Sequence, residues 1–438
     1  MEVYQNNIHL FTKSRKCRRY SAGTCGWRAC SLCTRKLRCD TLAALEEVTP
    51  HLRLFGYVIT IHFLCAVLLL LSILFVSGCT DVPGTPVSLE PIRTIEQWER
   101  YQKEGLVPSR IDWIYCSGGT LRLAVYLECV VRVAAVDTNE RQSDDRRGMK
   151  AYLAAHPALQ ELPVGGETSG RDSPELLLSL DPMPQLIIKA DTGAGYDPAE
   201  LTRRTGIPVL LIPMRGITVG RDEFDAGLRL LGAVLDKRER AEALIEFFDR
   251  EIADIQERVR RCSRPKPLVY VGGVSYGGSH GFNSSEAGYP PFEIAGAESP
   301  VKANEREPTL GKRHTMLAKE KILEWNPEVL FLDLGTLYLG GASGLVELKN
   351  DPAYRSLSAV QQGKVYTLLP NTFYFVNHDA ALANAWFVAK VLYPEQFQDI
   401  DPKEKADEIF TFLVGTPVFD TLNAALEHLV FEPLAADR

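Results

Sequence analysis

Residues 238–261 spell a helix that constrains this chain more than any other stretch. Leu244, Phe248, Ile252, Ile255 and Val259 recur at steps of three or four, the spacing of one helix face. Glu246, Asp249, Arg250, Glu251, Asp254, Glu257 and Arg258 lie between them, and most of them suit a solvated face. Pro265 and Pro267 stop the helix and lead into a new strand. At 1.5 Å per residue the helix is about 36 Å long, close to the diameter of a small domain. Strand-like and helix-like segments alternate on both sides of it. The pattern predicts two α/β lobes joined by one rigid helix, with a ligand held between them.

The 438 residues leave room for two domains. A net charge of −7 argues against a nucleic-acid partner. Cys17, Cys25, Cys30, Cys33 and Cys39 crowd the N-terminal region, and only Cys116, Cys129 and Cys262 follow Cys79. That distribution is not a disulfide framework.

Tyr57 to Gly78 is a nearly continuous apolar run, long enough to span a bilayer. It ends in Leu74-Phe-Val-Ser-Gly-Cys79, which resembles the lipobox of bacterial lipoproteins. Cys79 is then the acylated residue, and Arg53 with the basic residues upstream forms the positive n-region. An uncleaved signal anchor is the alternative. Either way the remaining chain is expected at the cell envelope, outside the cytoplasm and attached to a membrane. Cys30-Ser-Leu-Cys33 has the spacing of half a zinc site. A zinc knuckle ahead of a secretory signal makes little sense, so we read a translation start further downstream. The expected organisation is a basic extension (1–56), signal sequence and lipobox (57–79), tether (80–107), N-terminal lobe (108–237), connecting helix (238–262) and C-terminal lobe (263–438).

In the first lobe, Ile111–Cys116, Val131–Val136, Gln185–Ala190 and Val209–Ile212 read as strands. Ser117-Gly-Gly119 closes the first of them ahead of a helix, a turn that lets backbone N–H groups face a ligand. In the second lobe, Leu268–Val271, Val329–Leu334 and Lys364–Leu369 read as strands, with a helix at Tyr289–Ala297 and a basic loop at Val301–His314. The glycine-rich loop after Val271 lacks a Walker lysine, which excludes a P-loop. The lobes share a phrase. Glu175-Leu-Leu-Leu-Ser-Leu-Asp-Pro182 and Glu320-Lys-Ile-Leu-Glu-Trp-Asn-Pro327 each place a glutamate, a helix and a proline turn ahead of a buried strand.

Together these features resemble the substrate-binding lipoproteins of ABC importers of the vitamin B12 and iron-siderophore class, from about Pro108 to Leu422. The residues carrying the resemblance are the lipobox, Ser117-Gly118-Gly119, the two glutamate phrases, Thr205-Gly-Ile-Pro-Val209, Leu228-Arg-Leu-Leu-Gly232 with its following helix, and the stretch from Ala380 to Phe410. The resemblance implies two Rossmann-like lobes bridged by one long backbone helix, with little hinge motion. It implies a non-enzymatic receptor without a cofactor that delivers an iron complex or corrinoid to an ABC permease dimer with its ATPase. It further implies permease-docking acids, which fall here on Glu175 and Glu320.

Ligands of open α/β sheets bind beyond the carboxyl ends of the strands. That rule selects Ser117, Gly118, Gly119, Asp191, Arg215, Tyr276, Tyr338, Phe373, Tyr374 and His378 as candidate ligand-binding residues. Phe373 and Tyr374 suit a large flat ligand, and Arg215 suits an anionic chelate. His280, His314 and His378 lack metal-ligand spacing, so no bare metal site is expected. No nucleophile–base motif is present. A metallocofactor-handling enzyme or a ligand-sensing receptor on the same fold is the competing reading.

Overall fold

The computed structural model describes residues 89–141, 150–275, 280–302, 314–337 and 343–434. Cys79, expected from sequence to be acylated, the basic extension and the apolar run at 57–78 lie outside the described residues, as do Tyr276 and Tyr338. Among the described residues no helix is long and apolar enough to cross a membrane.

Short apolar runs flanked by turn residues make the strands. In the first lobe these are β1 (Ile114–Ser117), β2 (Val133–Asp137), β3 (Val164–Glu167), β4 (Arg171–Asp172), β5 (Leu186–Ala190) and β6 (Val209–Ile212). They form one sheet in the order β4-β3-β2-β1-β5-β6, parallel except for the β3–β4 hairpin. β1, β2, β5 and β6 are buried along their whole length, as parallel strands covered by helices must be.

The second lobe holds β7 (Val269–Gly272), β8 (Ser284–Glu286), β9 (His314–Met316), β10 (Val329–Asp333) and β11 (Val365–Leu368). β7, β10 and β11 form a parallel sheet in the order β11-β10-β7, and β8 pairs with β9 antiparallel. The expected basic loop therefore ends in a strand at His314, and the expected helix at Tyr289–Ala297 contracts to Pro290–Ile294. The shared glutamate phrases have a topological counterpart. Each precedes the middle strand of a parallel triplet, β1-β5-β6 in one lobe and β7-β10-β11 in the other.

The helix Arg238–Arg260 follows the first lobe's last helix, Arg221–Val234, and packs on it. Leu244, Phe248 and Ile255 are fully buried, and Ile252 and Val259 pack partly against the same core. It also packs on the helices Pro290–Ile294 and His378–Leu392 of the second lobe, and Phe247 stacks on Phe412 of the helix Pro402–Val414 at 4.0 Å. One expected solvated residue is not solvated. Glu251 is 7% exposed; it accepts from Trp386 Nε1 at 3.1 Å and pairs with Lys405 at 3.0 Å. Neighbouring helices cover that part of the polar face, and the carboxylate answers their two donors.

Part of the expected tether is folded onto the lobe. Ile92 bridges to β6, donating to Val209 O at 2.8 Å and accepting from Leu211 N at 2.9 Å. The helix Ile95–Lys103 buries Trp98 and Tyr101.

Candidate ligand cleft

The carboxyl ends of the parallel strands fall at Ser117, Asp137, Ala190 and Ile212 in the first lobe, and at Gly272, Asp333 and Leu368 in the second. Buried ion pairs brace the first set. Asp172 on β4 accepts from Ser117 Oγ and from Tyr115 OH, and Lys189 on β5 pairs with it. Lys150 donates to Glu140 at 2.7 Å and to Asn139 Oδ1 at 2.7 Å, and Tyr152 OH also donates to Glu140. Lys150 and Lys189 are each 2% exposed. Spent on protein acceptors, these charges form a frame and not a binding surface.

One carboxylate at a strand end in each lobe ties down loops. Asp137 accepts from the N–H of Gly118 at 3.2 Å and of Asn139 at 2.9 Å. Asp333 accepts from the N–H of Gly335 at 2.8 Å and of Asn371 at 3.0 Å, and from Tyr289 OH at 3.1 Å. Burial, with Glu140 nearby, pushes Asp137 up to about 6. Burial pushes Asp333 up to about 7 against its three donors.

The segment 371–377, which follows β11, crosses to the first lobe. Tyr374 OH donates to Asp137 Oδ2 at 2.6 Å and accepts from Ser169 N at 2.8 Å. Burial, then the Asp137 charge, pushes this phenol up. Arg122, wholly buried in the helix Leu121–Tyr126, points into the segment. Its guanidinium donates to the carbonyls of Phe373 (3.3 Å), Tyr374 (2.9 Å), Phe375 (3.3 Å) and Val376, and to Asn377 Oδ1 (2.9 Å). A planar fork with five N–H donors suits such a fan of oxygens.

The rim beyond this segment is more open. Asp191 after β5 is exposed and ion-paired with Arg93. Arg215 after β6 keeps 35% of its side chain exposed, and its nearest acid, Glu223, is 3.9 Å away. Its carbonyl oxygen accepts from His378 Nε2 at 2.7 Å. Burial drives His378 down to about 3, so the imidazole is neutral. It packs on Phe224 with ring centroids 4.5 Å apart.

Among the candidates read from sequence, the fold gathers Ser117, Gly118, Gly119, Phe373, Tyr374 and His378 at the lobe junction. All but Tyr374 are buried there, and Ser117 and His378 are committed to protein partners. Asp191, Arg215 and Tyr374 reach solvent. Among the described residues no group of three or more His, Cys, Asp or Glu side chains is placed to hold a metal ion. Arg122, Asp137, Asp172 and Lys189 were not among the candidates. For Arg122 and Lys189 the sequence signal is a charge set inside an apolar run, Leu121-Arg-Leu-Ala-Val-Tyr126 and Leu186-Ile-Ile-Lys-Ala190; Asp172 lies in a polar stretch and carries no such signal.

Glu175 and Glu320 both occupy the first turn of a short helix and both are exposed. Glu175 is ion-paired with Arg204; the free N–H groups of its own helix start, then Arg204 and Ser173, hold its carboxyl below the ordinary value. Glu320 forms no ion pair among the described residues.

A family model described as periplasmic binding protein matches residues 114–372. The molybdate-binding protein MolA of Haemophilus influenzae is 24% identical over 317 residues, covering 66% of this chain and 82% of that protein. A solved structure of a molybdate periplasmic binding protein MolA from Haemophilus influenzae, bound to molybdate, aligns with a TM-score of 0.53 at 20% identity, over 71% of this chain and 95% of that one. The TroA-like periplasmic binding protein FepB of Veillonella parvula aligns with a TM-score of 0.52 at 21% identity, over 71% and 93%.

Proposed function

The chain belongs to the periplasmic binding protein family, and we propose on that premise that it captures an anionic metal-containing solute. As a member of that family it is a non-enzymatic, extracytoplasmic solute-binding protein that serves an ABC permease. The finer reading is a ferric chelate of the siderophore type. The observation that carries it is Arg215, a strand-end cation with solvent-facing surface and, among the described residues, no acid closer than Glu223 at 3.9 Å, beside the lobe junction. A guanidinium so placed is available to the carboxylate, catecholate or hydroxamate oxygens of a chelate. A second reading, a metal oxyanion such as molybdate, draws support from MolA, which binds molybdate. A corrinoid, also expected from sequence, is the bulkiest of the three and gains least, since the aromatic rings expected to receive it are engaged between the lobes.

Two further assignments belong to this reading. Glu175 and Glu320 dock onto the permease, and Cys79 carries the lipid that holds the protein at the membrane. Calorimetry on the full chain in detergent, with a ferric tris-hydroxamate, molybdate and cobalamin as probes, tests the ligand class. Binding of the chelate or the oxyanion, weakened at least tenfold by Arg215→Ala, is the expected result. Cobalamin binding alone, or no binding by any probe, would overturn it.

A further inference from the structure

Resting on the solute-binding reading, we infer that residues 371–377 form a strap that Arg122 holds across the first lobe, and that this strap sets the size of solute the cleft accepts. The loop is closed on itself before it meets the other lobe. Asn377 N–H donates to Asn371 O at 2.9 Å, Asn377 Nδ2 donates to Pro370 O at 2.8 Å, and Thr372 bridges to Val376. Tyr374 (φ 54°) and Phe375 (φ 87°) sit in the left-handed region, which strains non-glycine residues. That backbone course accompanies a run of four successive carbonyls that accept from one guanidinium. The buried charge and the strained turn therefore support one another: Arg122 receives the acceptors it needs, and the turn receives a partner for its carbonyls.

The strap covers the place where the strand-end rule puts a ligand. A methyl group on Gly119 would lie 2.5 Å from Phe375 Cδ2 and 2.8 Å from Tyr374 O, so nothing fits between Gly119 and the strap. Residues 117–120 are all buried. Tyr374 closes the next gap, with its hydroxyl between Asp137 and Ser169. With the strap in place, the residues at the first lobe's strand ends that reach solvent include, among the described residues, Thr138, Asp191 and Arg215. Compact solutes can use such a rim; a large planar one needs the broad face beneath the strap.

Hydrogen exchange and binding test this separately. In the full chain, amides of residues 371–377 should exchange as slowly as those of the helix His378–Leu392. Arg122→Lys keeps a charge but cannot reach all the carbonyls, and Phe375→Leu removes the ring over Gly119 while leaving Arg122 intact, which guards against misfolding. Each should speed exchange in 371–377 at least tenfold, leave exchange in residues 238–260 unchanged, and shift the haemin-to-molybdate affinity ratio at least tenfold toward haemin. Rapid exchange of the strap in the unmodified protein, or variants that move neither exchange nor the affinity ratio, would overturn the inference. If neither haemin nor molybdate binds any of the proteins, the strap's part in size selection fails, the exchange data still decide whether the strap exists, and the tris-hydroxamate titration tests the solute-binding reading separately.

Discussion

At the residue scale, Gly119 and His378 show how tightly the junction is specified. Gly119 has φ 83° and no room for a side chain, so Gly119→Ala should cost about 2–4 kcal/mol in denaturant unfolding. Gly193 has φ 68° with nothing within 4 Å, so Gly193→Ala should cost only about 1 kcal/mol, the backbone term alone. Equal losses would show that the strap does not press on Gly119. His378 predicts a pH dependence. Its folded value of about 3 lies below the ordinary 6.5, so its stabilising contribution is full above pH 6.5 and is lost as pH falls toward 3. Asp137 and Asp333 have the opposite sign. Raised to about 6 and about 7, they favour the folded state most below the ordinary carboxylate range and lose that contribution as pH rises through those values. Melting curves from pH 7 to pH 4 should therefore show a smaller acid loss for His378→Gln than for the unmodified protein, by about 3 kcal/mol at pH 4. An unchanged acid limb would refute the buried neutral imidazole. Sequence could nominate His378 because it follows a strand end, but it could not show the direction of the side chain. The helix that begins at His378 turns the ring inward onto Phe224, and its one donor goes to the backbone of Arg215.

At the element scale, what was legible followed from hydrophobic pattern. Val269–Gly272, Val329–Asp333 and Val209–Ile212 are short apolar runs between turn residues, and each is a strand. The hairpin β3–β4 carries no such pattern. Gly165 and Gly166 lie in it for tertiary reasons: a Cβ on Gly165 would meet the Tyr115 ring at 2.7 Å, and one on Gly166 would meet Asp172 Cα at 2.6 Å. No local propensity announces a contact of that kind. The helix Arg238–Arg260 was legible on its apolar face and misread on its polar one, because Glu251 looks like its exposed acidic neighbours until Trp386 and Lys405 arrive from elsewhere in the chain. Removing that carboxylate leaves the Trp386 indole N–H without its acceptor in a mostly dry site, while Lys405 keeps Glu408 at 2.9 Å. Glu251→Ala should therefore destabilise the protein by about 2–4 kcal/mol, with Glu251→Gln losing less because its amide oxygen still accepts from Trp386. Similar, near-zero losses for both would place Glu251 back on the solvated face.

At the scale of the whole molecule, the lobes are joined by more than the helix. Arg122, Tyr374 and the His378–Arg215 contact each link the second lobe's strand ends to the first lobe's. Two surface acids held on such a frame keep a fixed separation, which is what a two-subunit permease requires of a ligand-bearing partner. Exposed charges contribute mainly to encounter rate and register, and they are screened by salt. The two acids differ, because Glu175 is shared with Arg204 while Glu320 forms no ion pair among the described residues. Part of Glu175's field is therefore cancelled within the protein, and the proposed docking through it would require drawing it away from Arg204. Charge reversal at both positions, Glu175→Lys with Glu320→Lys, should abolish uptake in reconstituted vesicles while leaving solute affinity unchanged. Arg204→Ala should speed association with the permease about two- to fivefold at low ionic strength and have no effect at high salt, as expected for one uncovered charge. If the double reversal left uptake intact, the acids would be ordinary helix-start residues. If Arg204→Ala changed solute affinity in place of association rate, the Glu175–Arg204 pair would belong to the cleft and not to the docking face.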